Sequence, residues 1–151
     1  MRLKFETLGT LSIDMERSDA IGETPSGGRR MAIFAGGSFD GPRIKARVLQ
    51  GGSDVILTRN DQSFHPDARL VFQTEDDAFL LVTYKGIRHG PAEVMQRIAQ
   101  NLPVDPSEYY QRAVFNFETS DKQYDWLNRI FAVGTGRRVP NRMIYDVYEL
   151  L

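Results

Sequence analysis

Eight side chains in this sequence could act together on a small organic molecule. Asp54 and Glu118 are carboxyl groups that could take and return a proton. Tyr84 could donate a hydrogen bond to an oxygen that gains charge during a reaction. Arg69 and Arg112 could hold a carboxylate, phenolate or enolate, because a guanidinium offers a planar fork of donors. Phe115 and Trp126 would supply apolar walls, and Asn128 a neutral polar contact. This set suits proton transfer of the lyase, isomerase or cyclase kind, which needs neither metal nor nucleotide. No cofactor is expected.

Other chemistries lack their residues. The chain has no cysteine, so disulfides, thiolate metal sites and cysteine nucleophiles are excluded together. His65 and His89 are the only histidines, both beside turns, and no Gly-x-Ser-x-Gly elbow is present. Asp76 and Asp77 are adjacent on a strand tip and point opposite ways, so they do not make an oxygen-only metal site. Gly22 to Gly27 has the spacing of a phosphate loop, but Gly28 stands where the lysine should be. Arg29-Arg30 and Arg137-Arg138 read as solvated pairs.

A net charge of -1 argues against a general nucleic-acid binder. The start, Met1-Arg2-Leu3-Lys4-Phe5-Glu6, lacks the apolar core of a signal peptide. No apolar run approaches the roughly 18 residues of a membrane span. A cytoplasmic protein with no membrane or nucleic-acid partner is expected.

The elements that must position the eight residues are mostly strands. Leu11, Ile13 and Met15 alternate with Ser12, Asp14 and Glu16, the mark of a half-buried strand. Residues 17–28 are polar and rich in glycine and read as a loop. Residues 29–35 form a strand ending at Gly36-Gly37, and Asp40-Gly41-Pro42 is a hairpin turn. Arg43, Lys45 and Arg47 then share one face and Ile44, Ala46 and Val48 the other, so the charged face is the wet one. Unbroken parity puts Asp54 on the inner face with Ile44, Ala46 and Val48. A one-residue bulge at Gly51-Gly52 would turn it outward.

Further strands are expected at 55–58, 68–74, 78–85, 109–119 and 142–150, with 123–133 ambiguous between strand and helix. Lys85 should face out, which turns Tyr84 in. Gly134-Thr135-Gly136-Arg137-Arg138 reads as a loop. One helix is expected near 91–102, opened by Pro91 and striped by Val94, Met95, Ile98 and Leu102. It would pack outside the strands or cap one end. A mainly β fold follows: a closed antiparallel up-and-down β-barrel of about eight to ten strands with one short helix, a single domain over 1–151.

Seven short pieces in order carry a resemblance. They are Gly28-Arg29-Arg30, Gly36-Gly37-Ser38-Phe39, Gly51-Gly52-Ser53-Asp54, Tyr109-Tyr110-Gln111-Arg112, Phe117-Glu118-Thr119, Tyr124-Asp125-Trp126-Leu127-Asn128 and Tyr145-Asp146-Val147-Tyr148. The chain resembles the domain of unknown function 3237 family, also called uncharacterised protein family 0311. The resemblance spans nearly all of the sequence. It implies a lipocalin-like or allene-oxide-cyclase-like barrel and no settled activity. Where that family often has an aromatic after the aspartate of Gly-Gly-x-Asp, this chain has Val55, which would alter pocket shape.

Three readings stay open on the sequence alone. The first is a small-molecule-binding barrel acting as a cofactor-free lyase, isomerase or cyclase on an aromatic or polyketide-like substrate. The second is a non-catalytic carrier with the same pocket. The third is a filled, structural barrel forming a homodimer or higher oligomer through a strand edge or the Val94/Ile98 helix stripe.

Overall fold

The computed structural model describes residues 1–151. Ten strands form a closed antiparallel β-barrel: β1 (Phe5–Thr24), β2 (Gly27–Asp40), β3 (Lys45–Val48), β4 (Ser53–Thr58), β5 (Phe64–His65), β6 (Asp67–Thr74), β7 (Phe79–His89), β8 (Tyr110–Glu118), β9 (Ala132–Val139) and β10 (Arg142–Leu150). The sheet runs β1-β10-β9-β8-β7 and then through β6, β3 and β4 to β2, which pairs back onto β1. A single helix, α1 (Ala92–Ala99), follows β7. No helix is long and apolar enough to cross a membrane.

Alternation along the strands decides what lies inside. Leu80, Val82 and Tyr84 of β7 are buried, as are Met143, Tyr145, Val147 and Glu149 of β10. Twenty-six buried hydrophobic residues form one core inside the barrel. Its lower part is apolar, with Phe39 and Phe72 rings 5.3 Å apart. A 3₁₀ turn, Asp125–Arg129, closes that lower end by inserting Leu127 between the strands, with Tyr124 buried beside it. Arg43 stacks 4.0 Å over the Trp126 ring there and pairs with the buried Glu149.

Three segments differ from the sequence expectation. Residues 17–28 are not a loop: β1 and β2 continue as a long hairpin whose tip is Pro25-Ser26. Glycines suggested a loop there, yet the two strands pair from Thr10–Asp40 out to Thr24–Gly27, with bulges absorbing the irregular spacing. Gly134-Thr135-Gly136 is not a loop either but the middle of β9. A Cβ on Gly134 would stand 2.6 Å from the Phe115 ring, and one on Gly136 would stand 2.6 Å from both Gln111 Nε2 and Tyr145 Cε1. These glycines make room for large inward side chains. The segment 123–133 resolves into the 3₁₀ turn followed by the start of β9.

Helix α1 lies at the upper end, beside the β9–β10 turn. Asn101, just past it, accepts from the Asn141 N–H at 3.1 Å. The apolar side of α1 is already covered: Val94 and Ile98 are buried with the chain's own Val104 and Tyr109 in a cluster separate from the barrel core. Val94 and Ile98 are thus spent on this cluster, while Leu102 of the same stripe stays exposed.

Candidate functional site

Asp54 faces inward. It is 5% exposed, so the Gly51-Gly52 kink keeps the parity set by Ile44, Ala46 and Val48, which are buried as well. In the register Asp54 sits between Ala32 of β2 and Ala68 of β6, both buried and both small. Ala68 in turn lies opposite Tyr84, and Tyr84 opposite Phe115. Those five strands thus place a carboxyl group, a phenol and an aromatic wall on one inner girdle. The rings of Tyr84, Phe115 and Tyr145 pack together with centroids 5.1 to 5.4 Å apart.

Burial dominates the carboxyl's chemistry. Taking the Asp54 carboxylate out of water penalises its charged form and pushes its pKa up to about 7. A hydrogen bond from the Asp67 backbone N–H, at 2.8 Å to Asp54 Oδ1, acts the other way, as does the nearby Arg88 charge. Burial likewise raises the pKa of Tyr84 and of Tyr145, so both phenols stay protonated and able to donate.

Three residues of this end are not among the expected site residues: Arg88, Gln111 and Tyr145. Arg88 is 7% exposed, and its Nε–H is buried with no hydrogen-bond partner. The guanidinium stacks 4.0 Å over the Phe64 ring. Burial lowers its pKa to about 10, which still leaves it charged at neutral pH. Gln111 is 2% exposed and directly opposite Arg88 in the β7–β8 register. Its Nε2 donates to Tyr145 Oη at 3.0 Å and approaches Met143 Sδ at 2.8 Å, while its Oε1 accepts nothing. A readable signal existed for Arg88. Period two runs from Leu80, Val82 and Tyr84 through Gly86 to Arg88 once the strand is carried past Lys85.

The other expected site residues lie elsewhere. Arg112 and Glu118 are exposed on the outer face of β8, because the inner face is the one carrying Gln111, Ala113, Phe115 and Phe117. Arg112 stacks 4.7 Å over Tyr110 on the outside. Arg69 is exposed too, 3.8 Å from Asp67. Asn128 is exposed and caps the end of β8, accepting from the Thr119 N–H at 2.8 Å and donating to the Thr119 carbonyl at 3.0 Å. Trp126 is half-buried at the lower end under Arg43, away from Asp54. Tyr84 and Phe115 are inside with Asp54. Val55 is 40% exposed, so it points away from the lumen and does not shape it.

Two further clusters resemble sites without the right wiring. Ser63 Oγ lies 2.7 Å from His65 Nε2 and 2.5 Å from Asp61 Oδ1. The carboxylate accepts the hydroxyl proton, so His65 must donate to Ser63 rather than deprotonate it. The arrangement clasps a turn and does not activate a nucleophile. An open groove of about 690 Å3 between β2, β3 and β6 is lined by polar residues on the outer surface. There Lys45 pairs with Asp40, and Arg47 with Gln73.

Comparison with known proteins adds relatives but no activity. The family model described as "Protein of unknown function (DUF3237)" matches residues 3–150. A UPF0311 protein of Rhodopseudomonas palustris is 35% identical over 132 residues, covering 87% of this chain and 86% of its own. A crystal structure of a conserved protein of unknown function from that organism superposes with a TM-score of 0.96 at 31% identity, covering 100% and 99%. A β-barrel-like protein of Acinetobacter baumannii gives a TM-score of 0.87 at 35% identity, covering 100% and 98%. A Penicillium herquei protein described as an enzyme gives 0.74 at 21% identity, covering 100% and 96%, a likeness of fold.

Proposed function

Because the chain belongs to the DUF3237 family, whose description assigns no activity, we propose a function from the barrel's own inner girdle. The protein binds a small aromatic or polyketide-like molecule at the Asp54 end and moves a proton on it, as a cofactor-free lyase, isomerase or cyclase. Asp54 takes and returns the proton. Tyr84 donates to the oxygen on which charge develops, and Arg88 takes the anion-holding role that the sequence reading gave to Arg69 and Arg112.

The observation that carries this reading is the Asp54 carboxyl, buried beside an unpaired guanidinium and with its pKa near 7. A general base works best when its pKa lies near the working pH. The lower end is packed with Phe39, Phe72 and Leu127, so Asp54, Tyr84, Arg88 and Gln111 lie together at the other end. The Penicillium herquei neighbour fits a barrel that can host catalysis, but its identity of 21% carries over the fold and not the reaction. The absence of cysteine suits action in the cytoplasm.

A structural reading has an observation of its own. β4 pairs with β6 only at Ser53 and Asp54 before leaving for β5, and Asp54 Oδ1 satisfies the Asp67 N–H where the ladder opens. The two readings separate in D2O. Enolisable ketones, lactones and enones are incubated with the protein, and solvent deuterium entering them is followed by NMR. Proton transfer by Asp54 gives exchange above buffer that Asp54→Asn abolishes. No exchange on any of them, or equal exchange with Asp54→Asn, overturns the catalytic reading.

A further inference from the structure

The upper end of the barrel contains two buried polar atoms of opposite kind with nothing to bond. Arg88 Nε–H is a donor without an acceptor, and Gln111 Oε1 is an acceptor without a donor. They come from residues directly opposite one another across β7 and β8, so their side chains leave the inner face about 5 Å apart. They do not bond each other. Leaving such groups unpaired in the interior is costly, and more so for a charged one.

Their surroundings define what would satisfy them. One face of the guanidinium is taken by Phe64, so an oxygen partner for Nε–H would have to approach in the guanidinium plane. Arg138 lies close enough for its charge to disfavour that of Arg88, so two cations share this end. Asp54 is the acid facing them from β4, and Tyr84, Tyr109 and Tyr145 are the phenols. The Gln111 amide is oriented by its N–H contacts to Tyr145 and Met143, which aims Oε1 away from both. The vacant partners are thus one oxygen that accepts from a cation and one hydroxyl that donates to an amide.

We propose that Arg88 and Gln111 together hold a small planar organic anion that carries a hydroxyl next to its charged oxygen. The class includes ortho-hydroxy aromatic carboxylates and enolised β-dicarbonyls. Arg88 binds the charged oxygen, Gln111 Oε1 accepts the neighbouring hydroxyl, and Phe64 lies alongside. The inference rests on the ligand-binding reading above and narrows it to a substrate class.

The test uses the full chain with salicylate, benzoate and phenol as probes, by calorimetric titration and thermal shift at pH 6. Salicylate should bind about tenfold more tightly than benzoate, the weight of one added hydrogen bond. Phenol should bind weakest. Arg88→Met, which keeps the stem and removes the charge, should lose both anions. Gln111→Met should bring salicylate down to the level of benzoate. Equal binding of salicylate and benzoate, binding retained in Arg88→Met, or no binding of either anion overturns this inference. Each of those results leaves the Asp54 proton-transfer reading standing, because that reading fails on a separate measurement: the absence of Asp54-dependent deuterium exchange.

Discussion

Asp54 Oδ1 accepts the backbone N–H of Asp67 at 2.8 Å, so one carboxyl group both closes a gap in the sheet and carries an acid equilibrium pushed far up by burial. The two roles pull apart with pH. In the unfolded chain Asp54 ionises near 3.8, whereas in the fold it holds its proton to about 7. A raised carboxyl favours the fold below its unfolded pKa and costs stability as pH rises through the window from 3.8 to 7. Asp54→Asn keeps an acceptor oxygen and removes the ionisation. Urea unfolding at pH 4 should place wild type and variant close together. At pH 8 the variant should be more stable, by up to about 4 kcal/mol at 1.36 kcal/mol per pKa unit. A wild-type stability that does not fall across this window contradicts the assignment.

Removing the acceptor should act differently. Asp54→Ala leaves the Asp67 N–H without its partner at the β4–β6 opening, a loss of about 1–3 kcal/mol. Measured at pH 4, where the folded carboxyl is neutral, Asp54→Ala should be less stable than wild type and Asp54→Asn should not.

Gly136→Ala tests the room made inside β9. The new Cβ would meet Gln111 Nε2 and Tyr145 Cε1 at 2.6 Å, both in a packed interior. Overpacking of this kind costs about 1–3 kcal/mol. A lowered melting temperature, with weakened salicylate binding through the displaced Gln111, is the expected outcome.

At the lower end, Arg43 pairs with Glu149, whose side chain is 10% exposed. Arg43 itself is 43% exposed, so Arg43→Ala should destabilise by about 1–3 kcal/mol, the cost of leaving the buried Glu149 carboxylate without its partner. The double variant Arg43→Ala/Glu149→Gln should recover much of the loss. A double-mutant cycle by chemical unfolding gives the coupling.

Substitutions at the outer face of β8 should be quiet. Arg112→Ala and Glu118→Gln remove exposed groups and should each shift stability by less than about 0.5 kcal/mol. They should leave salicylate binding unchanged.

What the sequence revealed follows from how one-sided each strand is. The wet row of Arg43, Lys45 and Arg47 orients its strand, and parity carried across the kink places Asp54 inside. Lys85 does the same for Tyr84. β8 is harder, since Arg112 and Glu118 alternate with Val114 on one face while Gln111 interrupts the other. Polar residues on both faces hid the fact that Ala113, Phe115 and Phe117 are the buried row. A strand ended at Lys85 leaves Arg88 out, and a charged side chain gives no apolar signal to continue it. The β9 glycines misled for a related reason: inside a narrow barrel, a missing side chain is a packing choice that looks like a turn.

The barrel closes where β1 meets β10, with Thr10 bonded to Asp146 across 136 residues of sequence and Arg142 to Asp14 across 128. During synthesis the first strand therefore emerges long before its partner exists. Until residues 142–150 leave the ribosome, one edge of β1 has no ladder, and Leu8, Leu11 and Ile13 have no far wall to pack against. Contacts this distant in sequence make for slow closure, on the millisecond-to-second scale of all-β domains. A chain that still lacks β10 has an unpaired edge on β1, the kind of edge that pairs with other chains.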